Sequence, residues 1–177
     1  MNVRKAIMSD IPVLLELING YAEEGIMLPR TEFEMAENIR DFTVIEDEGR
    51  PIACGALHFY TPSTGEVRSM AVDRSSKKQG LGRKLVEALE AEARECRLDT
   101  LFAFTYVPDF FQKAGFTEVD RSELPLKAWK DCMRCPKFQC CDELPMIKYL
   151  DSREHHHPAE DRGDPEVVSV QLPVVKK

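Results

Sequence analysis

Residues 77–84, "KKQGLGRK", bring two glycines and four cationic side chains into one short turn between an apolar run and a long amphipathic segment. Gly80 and Gly82 let the backbone come close to a ligand, and a helix opening there presents unpaired N–H groups and the positive end of its dipole. That is chemistry for holding an anion, most often a phosphate. A tight turn at a helix start is the plainer reading, but it gives no use to Lys77, Lys78, Arg83 and Lys84. There is no Gly-Lys-Ser/Thr for a Walker loop, and no G-x-G-x-x-G with an acidic residue about 20 positions on. A second cluster is "CMRCPKFQCC". Cys132, Cys135 and Cys140 have the spacing of a compact metal knuckle, and thiolates suit zinc or iron. A second pair with two residues between is absent, and adjacent Cys140 and Cys141 do not easily share one ion. Reduced cysteines packed beside Trp129 and Phe138 are the competing reading.

The elements that must position these groups alternate between helix and strand. "VRKAI" reads as a strand, and "SDIPVLLELING" as a helix with Ser9 as N-cap, Pro12 in its first turn and Gly20 as its stop. "RTEFEMAENIRDF" opens on a capping box, Thr31 with Glu34, and its apolar positions Phe33, Met35, Ile39 and Phe42 recur at roughly helical spacing. "TVIEDEGRPIACGALHFY" reads as a hairpin turning at Glu48-Gly49. "TPSTGE" leads into the strand "EVRSMAV". The helix after the basic turn buries Leu85, Val86, Leu89, Ala93 and Cys96 on one face and turns Glu87, Glu90, Glu92 and Glu95 to solvent. "DTLFAFT" is a buried strand, "VPDFFQKAGF" a short helix ended by Gly115, and "TEVD" a further strand start. From Leu124 to Leu150 the chain reads as irregular with one strand, and no internal repeat is seen.

Composition narrows the classes of function. A chain of 177 residues is about one domain. With 31 Asp+Glu against 24 Lys+Arg, a net charge of −7, a sequence-independent grip on nucleic acid is not expected. No run approaches the ~18 apolar residues of a membrane span, and "MNVRKAIMSD" lacks the apolar core of a signal peptide. The expectation is a cytoplasmic protein with no membrane or nucleic-acid partner, and Cys-rich residues 124–150 are then a metal or redox element rather than a disulfide framework. Residues 151–177, charged and Pro-punctuated, read as a flexible tail in which His155, His156 and His157 are incidental.

The strand "EVRSMAV", the K-x-x-G-x-G turn with its helix, then "LFAFT" and "FFQKAGF", resemble in order and in motif the GNAT superfamily of N-acetyltransferases over roughly residues 3–120. The first turn position, usually Arg or Gln in that superfamily, is Lys77 here. The resemblance implies an α/β fold with a mixed central sheet flanked by helices, a core over residues 1–123, a Cys-rich element over 124–150 completing or packing on it, and acetyl-CoA as cosubstrate. It implies that backbone groups of Met70, Ala71 and Val72 pair with the pantetheine arm, and that Lys78, Gln79, Gly80, Leu81, Gly82 and Arg83 wrap the pyrophosphate. A narrower resemblance, on "GIMLPRTEFEMAENIRDF", "GEVRSMAV", "TYVPDFFQKAGF" and "LPLKAWKDCMRCPKFQCCDELPM", is to short stand-alone bacterial N-acetylglutamate synthases. It implies L-glutamate as acceptor and a place at the opening of arginine biosynthesis.

A dicarboxylate needs fixed cationic forks, and Arg30 and Arg68 are the candidates for that work; an ordinary surface arginine is the plainer reading of each. A free α-amino group titrates near ~8 and is mostly protonated at neutral pH, so a carboxylate taking its proton would help. Many GNAT enzymes place such a base where Glu66 stands, otherwise a turn-flanking glutamate. An oxyanion donor is expected from a main-chain N–H of residues 70–72 at a local bulge. Where many relatives carry a proton-donating Tyr, this chain has Phe111, so the thiolate leaves unassisted, through water, or with Tyr106 substituting. His58 reads as a satisfied structural histidine. Two other readings stay open: acetylation of another small amine or a protein N-terminus, and a non-catalytic regulatory module that binds acetyl-CoA. A homodimer is compatible with all of them.

Overall fold

The computed structural model describes residues 1–76, 79–124 and 142–150. Cys132, Cys135, Cys140 and Cys141 lie outside the described residues, as do Lys77, Lys78 and the tail from residue 151. In chain order the elements are β1 (Asn2–Lys5), α1 (Ile11–Ala22), α2 (Glu32–Asn38), β2 (Phe42–Asp47), β3 (Arg50–Phe59), β4 (Thr64–Val72), α3 (Leu81–Glu95), β5 (Thr100–Thr105), α4 (Pro108–Lys113), β6 (Thr117–Glu118) and β7 (Leu144–Tyr149). They form one seven-stranded sheet in the order β1-β2-β3-β4-β5-β7-β6. β4 and β5 run parallel, joined through α3, and every other neighbouring pair is antiparallel. The mixed sheet with flanking helices is the expected fold class.

Alternation along the strands builds a core on each face. Leu14, Ile18, Met35 and Ile39 of the α1–α2 side pack on Val44, Cys54, Ala56 and Ala71. On the opposite face Leu85, Val86 and Leu89 of α3 pack on Ile45, Ala53, Leu57 and Val67. Each of these aliphatic α3 side chains is fully buried, worth roughly 1.5–3 kcal/mol apiece.

Local signals shaped several ends as expected. The Thr31 hydroxyl accepts from the Glu34 N–H at 3.2 Å, and the Glu34 carboxylate accepts from the Thr31 N–H at 2.9 Å. Glu48 and Gly49 both take positive φ, 48° and 82°, closing the β2–β3 hairpin on two left-handed residues.

Elsewhere tertiary contacts overrode the local pattern. Ser9 is not an N-cap but lies in a 3-10 turn, Met8–Asp10, ahead of α1. The fork of Arg4 takes the Asp10 carboxylate at 2.7 and 3.0 Å, and the Ile7 N–H donates to the same carboxylate at 2.9 Å. That anchors Asp10, not Ser9, at the junction with the helix. Gly20 does not stop α1, which continues to Ala22. Phe33 is 70% exposed because it falls two residues, about 200° of helix, before buried Met35. Cys96 is exposed just past the end of α3. Glu90 is not simply solvated, since it accepts from Lys148 at 2.5 Å and Arg94 at 3.0 Å, tying α3 to β7.

Candidate active site

The cleft begins where two central strands part. β4 and β5 pair at Thr64, Gly65 and Glu66, and the ladder ends there. Beyond Glu66 the β5-facing edge of β4 is released from strand pairing. On its other edge β4 carries one residue more than β3 between Ala71, opposite Cys54, and Arg68, opposite Ala56. The extra residue falls at Ser69–Met70, and Ser69 sits at φ 52°. Such a bulge bends a strand and re-aims its backbone. It falls immediately before residues 70–72, where an oxyanion donor was expected.

The parting strands open a cleft of about 760 Å³. Among the candidate residues Arg30, Glu66, Arg68, Met70, Val72, Gly80, Leu81, Gly82, Arg83, Tyr106 and Phe111 line it. Ala71 points the other way, 2% exposed in the core beneath α1. Gln79 is exposed beside the turn and does not line the cleft.

At one end the cleft meets the N-terminus of α3. Gly80 is the N-cap at φ 73° and offers no side-chain cap, and the first intrahelical bond runs from the Lys84 N–H to the Gly80 carbonyl at 3.0 Å. The N–H groups of Leu81, Gly82 and Arg83 therefore have no acceptor within the helix. A Cβ on Gly82 would stand 3.2 Å from the Phe110 ring, so this glycine admits an aromatic wall as well as a ligand. Arg83 is 77% exposed and donates to Glu87 one turn on at 2.8 Å, keeping its charge at the rim.

At the other end acidic and basic groups converge. Glu66 is 8% exposed and accepts from the Tyr60 hydroxyl at 3.0 Å. Arg68, two residues on and on the same face, has its guanidinium 3.8 Å from Glu66 and 3.8 Å from Asp41. Asp41 is held in turn by His58 Nδ1 at 2.6 Å. Arg30 comes from the α1–α2 connection. Its main chain is clasped by the Asn19 carboxamide through two hydrogen bonds, 2.9 and 3.0 Å, and its guanidinium donates to the Ser69 hydroxyl at 3.5 Å, next to the bulge. Tyr106 is half-buried on the opposite wall, where the Val107 N–H donates to the Thr105 hydroxyl at 3.0 Å at the mouth of α4. Phe111 is 5% exposed and packs edge-on against Phe110 and Phe116.

Three contributors carry no sequence signal of their own. Tyr21 lines the cleft and donates to the Val72 carbonyl at 2.7 Å, pinning the free end of β4. Tyr60 and Asp41 enter only through the β3–β4 register and the 3-10 turn Ile39–Asp41 that delivers Asp41 to it. A helix N-terminus without a side-chain cap, a bulged strand edge and a buried carboxylate beside an arginine line one cleft, which suits an anionic ligand and a proton acceptor.

Sequence and structural relatives agree with that geometry. The acetyltransferase (GNAT) family profile matches residues 13–116. An uncharacterised N-acetyltransferase of Chlorobaculum tepidum is 40% identical over 148 residues, covering 84% of this chain and 96% of that protein. The amino-acid acetyltransferase of Mycobacterium tuberculosis is 32% identical over 135 residues, 75% of this chain and 77% of its own. The chain spans only 29% of longer amino-acid acetyltransferases such as that of Pseudomonas putida, at 37% identity over 125 residues. Among solved structures, N-acetylglutamate synthase of Neisseria gonorrhoeae complexed with coenzyme A and N-acetyl-glutamate superposes with a TM-score of 0.78. It is 26% identical, and the match covers 85% of this chain and 35% of that one. No helix among the described residues is long and apolar enough to cross a membrane. From the profile match, these relatives and the parted β4–β5 cleft, the chain belongs to the acetyltransferase (GNAT) family.

Proposed function

We propose that this protein transfers the acetyl group of acetyl-CoA to the α-amino group of L-glutamate, the N-acetylglutamate synthase reaction that opens arginine biosynthesis. The observation that carries this reading is that Arg30, donating to Ser69 at the bulge, and the buried Glu66 carboxylate line one cleft, in a chain with amino-acid acetyltransferases among its relatives. In this scheme the pyrophosphate of acetyl-CoA lies against the N–H groups of Leu81–Arg83, with Lys78, Gln79 and Gly80 around it. The pantetheine arm lies along the unpaired edge of Met70–Val72, beside Phe111. Arg30 takes a substrate carboxylate as a charge-assisted fork.

Glu66 accepts the ammonium proton, directly or through one water, leaving a neutral amine. The amine nitrogen attacks the thioester carbonyl carbon, and a main-chain N–H at the bulge stabilises the oxyanion. The C–S bond then breaks to give a CoA thiolate, and the second proton of the attacking nitrogen, released to water as the amide forms, balances the proton that the thiolate takes up. With Phe111 unable to donate, that thiolate takes a proton from Tyr106 or from water; its conjugate acid titrates near ~8.5, so it leaves readily.

The test is thiol release from acetyl-CoA against a panel of free amino acids and N-terminal peptides. Release with glutamate alone is expected, and no release with any amine would leave only a CoA-binding module. Arg30→Ala is expected to raise KM for glutamate by about 10- to 100-fold, the loss of a hydrogen bond to a charged group, with little change in KM for acetyl-CoA. Equal effects on both would contradict the assignment.

A further inference from the structure

We propose that Cys54 and Gly55 of β3 are positioning residues that hold the Ser69–Met70 peptide of the β4 bulge in its working orientation. The inference rests on the reading that a main-chain N–H at the bulge stabilises the oxyanion. In the β3–β4 register Cys54 stands opposite Ala71 and Ala56 opposite Arg68, so the single residue Gly55 faces both Ser69 and Met70. Ser69 and Met70 line the cleft, whereas Cys54 and Gly55 do not. Ser69 holds φ 52° with a side chain attached, a conformation that persists only where the surroundings fix it. Two contacts from β3 contribute to that, one on each face of the sheet.

On the α1–α2 face the Cys54 thiol donates to the Ser69 carbonyl, with sulfur and oxygen 3.8 Å apart. The peptide is planar and trans, so its N–H, on Met70, points the opposite way from that carbonyl. Holding the carbonyl on Cys54 therefore turns the N–H away from it. Cys54 is fully buried, and burial pushes its thiol up to about 12, so the sulfur keeps the hydrogen it donates throughout the neutral range. On the α3 face Gly55 leaves the space that Met70 fills. A Cβ there would stand 3.2 Å from Met70 Cγ and 3.3 Å from Leu89 Cδ1. The Leu89 atom ends its side chain, but Met70 Cγ is one bond from Cβ and retreats only if χ1 turns or the bulged backbone moves. Met70 is itself packed against the core that α3 builds on this face. β3 thus grips the bulge by a carbonyl on one side and by a missing side chain on the other.

An oxyanion donor acts in the transition state, so disturbing it lowers kcat and leaves KM for acetyl-CoA nearly unchanged. Cys54→Ala should lower kcat about two- to tenfold, the worth of one ordinary hydrogen bond. Cys54→Ser keeps a donor and should retain more of kcat, even where its Tm is the lower of the two. Gly55→Ala should lower kcat about tenfold or more, toward the roughly 10²–10³ of a lost oxyanion donor. Met70→Ala removes Cγ, so adding Gly55→Ala to it should change kcat by no more than about twofold. The experiment is kcat and KM from thiol release, with the amine that the parent acetylates fastest, for these four variants, the Gly55→Ala/Met70→Ala pair and the parent, with Tm by differential scanning fluorimetry. Those orders support the proposal. A Cys54→Ala enzyme as fast as Cys54→Ser or faster would overturn the thiol contact. An equal Gly55→Ala loss with and without Met70→Ala would overturn the Met70 contact, and raised KM for acetyl-CoA at unchanged kcat would overturn both. Should Gly55→Ala not fold, a folded double variant supports the grip and an unfolded one contradicts it. A parent active on an amine other than glutamate removes the glutamate reading and leaves this inference standing, whereas a parent that acetylates no amine overturns both.

Discussion

Replacing Gly80 with alanine isolates the backbone from everything else at the anion turn. Gly80 sits at φ 73°, and a Cβ built on it meets no heavy atom of the described residues within 4 Å. Among those residues no clash and no new packing enter, so the cost worked here is the conformational one. A left-handed L-residue costs about 1–2 kcal/mol, and the stiffer unfolded chain of the alanine variant returns about 0.4–1 kcal/mol. A net loss of about 1 kcal/mol is expected, or about 2–4 °C in Tm for a domain of this size. If the turn instead relaxes toward negative φ, the first N–H groups of α3 turn away from the cleft and KM for acetyl-CoA rises. Gly80→Asn, a residue that tolerates the left-handed region, should fall between the two. Differential scanning fluorimetry and acetyl-CoA titration of the three proteins measure both quantities. An alanine variant melting at or above the parent temperature, or indistinguishable from the asparagine variant, would refute a left-handed cap at Gly80.

Other positions separate further effects. Gly82→Ala keeps ordinary helical backbone but places Cβ 3.2 Å from the Phe110 ring, so the ring must give; the expected result is unchanged or slightly raised stability with a higher KM for acetyl-CoA. Tyr106→Phe should lower kcat by less than about tenfold, because a thiolate leaves without full protonation; a thousandfold loss would make Tyr106 indispensable. Asp10→Ala should cost about 2–3 kcal/mol in urea unfolding, since it strips a bidentate partner from Arg4. Hydrogen bonds from Arg4 hold the Asp10 carboxyl below the usual carboxylate range of 3.8. Its contribution is therefore full above about pH 4 and is lost as the pH falls further through the folded value. The alanine variant should accordingly lack that part of the acid-induced loss of stability.

What was legible in the sequence is what is decided within about four residues. The Thr31–Glu34 capping box, the Glu48-Gly49 turn and the Gly115 stop each depend on neighbours that can be read side by side, and each is in place. The basic turn was legible for the same reason, because glycine spacing and a following amphipathic helix suffice to expose N–H groups. Ser9, Gly20 and Phe33 misled because long-range contacts decided them: an arginine on β1 claimed Asp10, and burial of Met35 turned Phe33 outward. β7 returning between β5 and β6 is a pairing across more than 20 residues that no local pattern announces. The charged cluster around Glu66 was legible only in part. Glu66 and Arg68 are visible on one strand, but Asp41, His58 and Tyr60 reach them through register, and a one-residue slip would have sent them to the other face.

That dependence on register explains why Glu66, Arg68 and the Ser69–Met70 bulge can belong to one short stretch of strand. Glu66 is the last residue of β4 paired to β5, so it is held rigidly by the sheet while the next residue already borders open space. Three residues later the extra residue at Ser69–Met70 interrupts the β3–β4 ladder, which resumes at Ala71, and a bulge of this kind bends the strand. The Ser69 hydroxyl at that bulge accepts from Arg30, which ties the α1–α2 connection to the same irregularity. Deleting Ser69 would restore continuous β3–β4 pairing with Glu66 still opposite His58 and Arg68 still opposite Ala56, removing the bulge and the hydroxyl that Arg30 reaches. The deletion variant should therefore lose acetyl transfer even where it retains a cooperative melt. Residual activity within tenfold of the parent would mean that acetyl transfer does not need the bulge.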